Sequence, residues 1–144
     1  MLQPIDPVLA RSVVRLRVRF YETDLMGIVH HGSYVGYLEV ARVEWLRRRG
    51  VAYATWAQRG LHLAVVDLAL KYRLPARFDD EIDVEAVLGE WRAASIRFDY
   101  RLLRVGDGAL LAEGSTRLAC VDGAGALKRI HDEMTDVLAR GEEG

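Results

Sequence analysis

The sequence is poor in the residues that build disulfides and metal centres. It has one cysteine and four histidines among 144 residues. The single cysteine, Cys120, excludes a disulfide within the chain, and its place on the apolar face of a predicted strand indicates a buried, unreactive thiol. His30 and His31 are adjacent and point in different directions, and no His or Cys pair at ligand spacing accompanies them. We therefore expect no metal ion.

The sequence also lacks long apolar runs and a strong excess of either charge. No segment approaches the roughly 20 apolar residues of a membrane-spanning helix. The N-terminus has no basic region followed by an apolar run, so we expect no signal peptide and a cytoplasmic protein. The formal net charge of −1 gives no reason to expect a nucleic-acid partner. The basic run 47–49 ends a predicted helix, where it favours the macrodipole.

What is present is ordinary for one globular domain, 1–144, with 51% apolar and 28% charged residues. A long helix is predicted over 33–49, and its apolar residues point in too many directions for a single stripe. Period-two patterns predict strands at 13–21, 64–74, 81–88, 95–105 and 110–121, with shorter helices at 53–59 and 133–140 and turn signals at Pro75, Gly89 and 106–108. The order β-α-β-β-β-β predicts an α+β fold in which one antiparallel five-stranded sheet wraps around one long central helix.

The stretch from Phe20 to Tyr34, FYETDLMGIVHHGSY, carries the strongest functional signal. A strand runs into an acid, Asp24, and eight residues later Gly32 and Ser33 open the long helix. Helix N-termini carry unpaired N–H groups and a partial positive charge, which suit an oxygen that gains negative charge. An acid beside such a terminus is a candidate site for attack on a carbonyl.

The run TDLMGIVHHGSYVGYLEVARVEWLRRRG, residues 23–50, resembles the signature of hotdog-fold acyl-CoA thioesterases. The closest branch is that of 4-hydroxybenzoyl-CoA thioesterase and the bacterial thioesterase associated with the Tol-Pal system. Downstream, YRLPARFDDEIDVE, WRAAS and ACVD resemble further parts of the pattern. The resemblance covers about residues 13 to 130, which we take as the core of the domain.

The resemblance implies hydrolysis of an acyl-CoA thioester to a free acid and CoA. Asp24 aligns with the catalytic aspartate, which acts as nucleophile or as general base on a water. The backbone N–H of His31 aligns with the group that polarises the thioester carbonyl. Gly32 and Tyr34, at the same helix entrance, are expected to contact the substrate.

The resemblance also implies a second binding element and an assembly. Arg92 and Ser95 lie in the turn between the third and fourth strands, which in the family reaches the CoA phosphates. The family forms homodimers whose sheets join edge to edge, often paired again into tetramers, with the substrate tunnel between subunits. No cofactor is implied, and an acyl carrier protein could replace CoA because both present a pantetheine arm.

Glu39 is the rival acid, because another hotdog lineage places its catalytic acid on this helix. Alternatively, Glu39 has a structural role, because Arg42, three residues further along the helix, is close enough to form an ion pair with it. We favour that ion pair.

Two rival functions remain open from the sequence. One is a hotdog hydratase or dehydratase on acyl thioesters, with His31 as base. The other is a non-catalytic module that binds acyl-CoA or an envelope complex. The acyl group is not specified by any of these patterns.

Overall fold

The computed structural model describes residues 6–130 and 132–142. Five strands form one antiparallel sheet in the order β1-β3-β4-β5-β2. The strands are β1 (Arg11–Arg17), β2 (His62–Tyr72), β3 (Glu81–Trp91), β4 (Ser95–Arg104) and β5 (Leu110–Val121). The helices are α1 (Ser33–Arg47), α2 (Tyr53–Gln58) and α3 (Asp132–Ala139). The sheet packs on the long helix α1, which confirms the predicted α+β hotdog architecture. Within the described ranges, no helix has the length and apolar character needed to cross a bilayer.

Helix α1 fills the core through one of its sides. Leu38 and Trp45 are fully buried, and the Trp45 ring meets Phe98 of β4 edge-on, with 5.2 Å between the ring centroids. On another side of the helix, Val35 and Val40 are 43% and 49% exposed. A single chain therefore does not wrap α1 on every side as the sequence predicts, because the sheet covers only part of its surface.

Strand β1 ends at Arg17 rather than at Tyr21, although the apolar alternation continues. The N–H of Val18 donates to the carbonyl of Asp80 at 2.9 Å. The backbone here is therefore hydrogen-bonded to the connection between β2 and β3 instead of to a strand of the sheet. Residues Phe20–Glu22 then form a 3₁₀ turn. This early departure directs the chain towards the N-terminus of α1.

Gly89 lies inside β3 rather than in a turn after it. The pairing of β3 with β4 shifts between Leu88 and Glu90, which is a β-bulge. A Cβ on Gly89 would lie 2.5 Å from the Asp99 carboxylate, so a residue without a side chain fits this close approach. The predicted end of the strand at Leu88 is therefore wrong, and β3 continues to Trp91.

Strand β2 is an edge of the sheet and exposes apolar side chains. Of the strands in the described part of the chain, it pairs only with β5, and a bulge between Val65 and Asp67 leaves Val66 without a partner there. Val65 and Leu68, rather than Val66 and Leu68, therefore share a face, and they are 46% and 38% exposed. An eleven-residue edge with apolar side chains is open to pairing with another strand.

Cys120 is buried in β5, as predicted. Burial raises the pKa of its thiol, so the reactive thiolate is disfavoured at neutral pH. The residue therefore belongs to the core.

Candidate active site

A tight turn presents Asp24 at the surface. The N–H of Asp24 donates to the carbonyl of Ile28 at 2.9 Å, and the N–H of Gly27 donates back to the carbonyl of Asp24 at 2.9 Å. Gly27 has a φ of +77°, a conformation that glycine adopts without strain. Oδ1 of Asp24 accepts the N–H of Met26 at 2.8 Å. The carboxylate is thus oriented by its own turn and is otherwise exposed.

The entrance of α1 lies beside this turn and leaves the N–H of His31 free. The N–H of His30 donates to the carbonyl of Glu22 at 2.8 Å, and the N–H of Gly32 donates to Nδ1 of His30 at 3.0 Å. The N–H of Ser33 donates to the carbonyl of His30 at 2.9 Å. The N–H of His31 has no acceptor among the described residues. A free N–H at a helix N-terminus can polarise a carbonyl oxygen.

One cavity of about 370 Å³ unites these features. It is lined by Asp24, Ile28, Val29, His31, Tyr34, Tyr72, Arg73, Leu74 and Pro75. Three of the predicted site residues, Asp24, His31 and Tyr34, therefore share one cavity. Gly32, the fourth predicted residue, follows His31 in sequence but is not among the residues that line the cavity. Its N–H is already bonded to Nδ1 of His30.

Two tyrosines form a wall of the cavity. Tyr34 is buried, and its pKa is raised chiefly by that burial, so the phenol stays neutral. Its ring packs edge-on against Tyr72, with 5.2 Å between the centroids. The hydroxyl of Tyr72 donates to the carbonyl of His31 at 3.0 Å. Sequence reasoning did not single out Tyr72, whose only signal was its place at the end of a strand.

We expect Tyr72→Phe to lower kcat about fivefold, the value of one lost hydrogen bond, because the carbonyl of His31 loses the hydrogen bond from the Tyr72 hydroxyl. Steady-state thiol release measures this, and thermal melting is the control for folding. If kcat stays within twofold of the parent, the hydrogen bond to His31 does not matter for catalysis.

Glu39 lies apart from this cavity and lacks its predicted partner. It is exposed and forms no ion pair with Arg42 among the described residues. The Arg42 guanidinium instead donates to the hydroxyl of Tyr100 at 3.4 Å. The predicted Glu39–Arg42 pair is therefore wrong. Glu39 borders a separate cavity of about 150 Å³, and eight helical residues beyond His31 correspond to about 12 Å along the axis.

Arg92 and Ser95 lie at the other end of the sheet from Asp24. The N–H of Arg92 donates to the carbonyl of Ser95 at 2.7 Å. Ser95 is in register with Ala119 of β5, whereas Tyr72, at the cavity, is in register with Ala112. Seven residues of strand (119 − 112 = 7) correspond to about 23 Å. One chain alone therefore does not bring this turn to Asp24.

The turn carries positive charge around one acid. Nη2 of Arg92 lies 3.7 Å from Oε1 of Glu90, and Nη2 of Arg117 lies 2.5 Å from the same oxygen. The hydrogen bond from Arg117, with the nearby charges of Arg92 and Arg97, lowers the pKa of Glu90. The Arg92 side chain is nevertheless 61% exposed and is accessible to an anion.

In the described part of the chain, no three His, Cys, Asp or Glu side chains are grouped to hold a metal ion. The rings of His30 and His31 lie 4.1 Å apart between centroids and are tilted by 31°, so the two side chains lie side by side rather than pointing in different directions as predicted.

The fold and the cavity define a hotdog protein with an acid beside a free helix N-terminus. The chain belongs to the thioesterase-like superfamily, whose family model matches residues 18–138. It is therefore a thioester hydrolase by family, and the resemblance drawn from the sequence is confirmed.

Similar proteins of known name or structure agree with this membership. An acyl-CoA thioesterase YbgC from Haemophilus influenzae is 34% identical over 108 residues, covering 74% of this chain and 78% of the relative. The crystal structure of a hypothetical protein TT1821 from Thermus thermophilus is 43% identical, covers 88% of this chain and 96% of its own, and superposes with a TM-score of 0.83. A DHNA-CoA thioesterase from Staphylococcus aureus is 26% identical, covers 88% of this chain and 85% of its own, and gives a TM-score of 0.82.

Proposed function

We propose that this protein hydrolyses an acyl-CoA thioester to a free acid and CoA, with Asp24 and the N–H of His31 as the reacting groups. The observation that carries the proposal is their meeting in one cavity. The YbgC relative, named an acyl-CoA thioesterase, supports CoA as the carrier of the acyl group.

In the proposed reaction, the thioester carbonyl oxygen accepts the N–H of His31 at the N-terminus of α1. Negative charge that develops on this oxygen is stabilised by the N–H and by the helix dipole. As a nucleophile, Asp24 bonds to the carbonyl carbon, the C–S bond breaks, CoA leaves as a thiolate, and water hydrolyses the resulting anhydride. As a general base, Asp24 takes a proton from the attacking water instead, and the thiolate leaves and is protonated.

Thiol release from a panel of acetyl-, hexanoyl-, palmitoyl- and benzoyl-CoA tests the proposal. We expect at least one substrate to be turned over with a kcat on the order of 1–100 s⁻¹. A hydratase would instead change the absorbance of an enoyl-CoA without releasing thiol. A binding module would gain thermal stability from acyl-CoA and release no thiol. The same panel on an acyl carrier protein distinguishes the two carriers.

We further propose a homodimer joined through the edge of β2, and that two such dimers pair into a dimer of dimers. The unpaired edge carries exposed apolar side chains, and a second copy would cover them. The second copy would also supply an Arg92 turn from another chain, since one chain alone does not bring this turn to Asp24. Light scattering should give at least twice the 16.2 kDa chain mass, and a monomer at micromolar concentration would contradict this assembly.

We expect Arg92→Ala to raise KM for acyl-CoA about fivefold while kcat stays within twofold, because an exposed arginine contributes a charge-assisted contact to a phosphate. The matched substrate is the same acyl group on N-acetylcysteamine, which has no nucleotide. Its KM should not change. An equal rise in KM for both substrates would place Arg92 near the acyl group or in the fold instead.

A further inference from the structure

We infer that Arg104 and Asp80 are positioning residues for Asp24 and His31, which they hold through the backbone of residues 75–77. This inference rests on the proposed function for its catalytic readout. We call residues 75–77 the bracing segment, since their backbone supports the Asp24 turn from behind.

The bracing segment is bonded directly to the Asp24 turn. The N–H of Val29 donates to the carbonyl of Ala76 at 2.8 Å, and Ile28 and Arg77 form an isolated antiparallel bridge. The carbonyl of Ile28 in turn accepts the N–H of Asp24 at 2.9 Å. A shift of the bracing segment is therefore transmitted to Asp24 through two hydrogen-bonded steps.

The same segment also supports the other side of the cavity. The backbone of Ala76 lies close enough to the Tyr34 hydroxyl to lower its pKa, against the larger effect of burial, and Ala76 is fully buried. Pro75 itself lines the cavity. The turn with the acid and the helix with the free N–H thus rest on one stretch of backbone.

Two charged side chains hold the bracing segment in place. Oδ2 of Asp80 accepts the N–H of Arg77 at 2.9 Å and lies 3.3 Å from Nε of Arg104. Nη2 of Arg104 donates to the carbonyl of Pro75 at 2.7 Å. Since Arg104 is the last residue of β4, its guanidinium ties the segment to the sheet. Asp79, between these contacts, has a φ of +70°, an uncommon conformation for a residue other than glycine that surrounding contacts must maintain.

The partial exposure of Arg104 and Asp80 indicates that this ion pair adds little to the stability of the fold. The side chains of Arg104 and Asp80 are 24% and 26% exposed, and ion pairs near the surface contribute little to folding free energy. The 79–80 stretch is also bonded to Val18, which directly follows β1, so the connection stays attached without Arg104. Removing Arg104 should therefore disturb the site much more than the fold.

The test compares Arg104→Gln, Arg104→Lys and Asp107→Asn with the parent. Asp107 is the other carboxylate bound to Arg104, at 3.0 Å, and an asparagine there can still accept the N–H of Ala109. We expect Arg104→Gln to lower kcat about tenfold by misplacing the reacting groups. KM for acyl-CoA should stay within twofold, Arg104→Lys should recover part of kcat, and Asp107→Asn should behave as the parent.

Amide hydrogen exchange gives a readout that needs no catalysis. In Arg104→Gln the N–H of Val29 should exchange about tenfold faster, because local opening becomes easier. The N–H of His30, bonded to Glu22, is the internal control and should not change. Unchanged exchange at Val29 would show that Arg104 does not hold the bracing segment, whether or not the protein hydrolyses thioesters. Unchanged kcat in Arg104→Gln, or an equal loss in Asp107→Asn, overturns the positioning role. If the parent itself releases no thiol, the proposed function fails, while exchange at Val29 still tests whether Arg104 holds the bracing segment.

Discussion

An Asp24→Asn variant is expected to release thiol from acyl-CoA about a thousandfold more slowly than the parent, the scale of losing a nucleophile or a general base. An amide has nearly the shape of the carboxylate, and its oxygen can still accept the N–H of Met26. The turn should therefore persist, and the loss should appear in kcat. Stopped-flow or steady-state thiol assays measure it, with thermal melting to verify the fold.

Glu39→Gln is the matched control for Asp24→Asn. It makes the same chemical change in a carboxylate that lies outside the Asp24 cavity and has no ion-pair partner among the described residues. Its kcat should stay within about threefold of the parent, as for a surface substitution away from the chemistry. Loss of activity in Glu39→Gln with retention in Asp24→Asn would assign the reaction to the acid on the helix.

The strands were predictable because their signal is local. Strand β5 begins and ends where its alternation does, at Leu110 and Val121, and α1 begins at the predicted Ser33. The errors arose where a contact distant in sequence overrode the local signal. Val18 leaves the sheet for Asp80, and Gly89 forms a bulge opposite β4 instead of a turn.

The candidate site likewise has residues that local sequence signals predicted and residues that they did not. Asp24 and His31 are seven residues apart in sequence, and a turn followed by a helix start was enough to predict their proximity. Tyr72 and Arg104 reach the site through bonds to residues 41 and 29 positions away. Such pairs depend on how the sheet folds over α1, and no periodicity in the sequence encodes them.

The largest effect on stability is expected at Arg49, which the sequence placed in an ordinary basic run at the end of a helix. The structure buries its side chain completely, with the guanidinium 3.6 Å from the centroid of the Trp45 ring. Its nitrogens donate to the carbonyls of Leu9, Trp45 and Arg140 at 2.6–3.0 Å and to the hydroxyl of Ser12 at 2.7 Å. One side chain thus joins the N-terminal segment, β1, α1 and the chain after α3.

Burial lowers the pKa of Arg49 to about 10, well below the ordinary value of arginine. The folded protein therefore holds this proton less tightly than the unfolded chain does. Burying the charged guanidinium costs free energy at neutral pH. This cost declines only as the pH rises from about 10 towards the ordinary pKa of arginine. The hydrogen bonds must offset that cost for the arrangement to persist.

Arg49→Leu should accordingly lower the free energy of unfolding by about 3 kcal/mol, because several buried acceptors lose their donors at once and this outweighs the relief of the buried charge. For a chain of this length the corresponding fall in Tm is about 10 °C, measured by calorimetry or circular dichroism. Arg47→Leu is the control, since Arg47 is 61% exposed and, among the described residues, pairs only with Glu44, and it should cost less than about 0.5 kcal/mol. Arg49→Lys keeps the charge but not the planar fork, so it should fall between the two. Equal melting of Arg49→Leu and Arg47→Leu would mean that the bonds made by Arg49 only balance the cost of burying it.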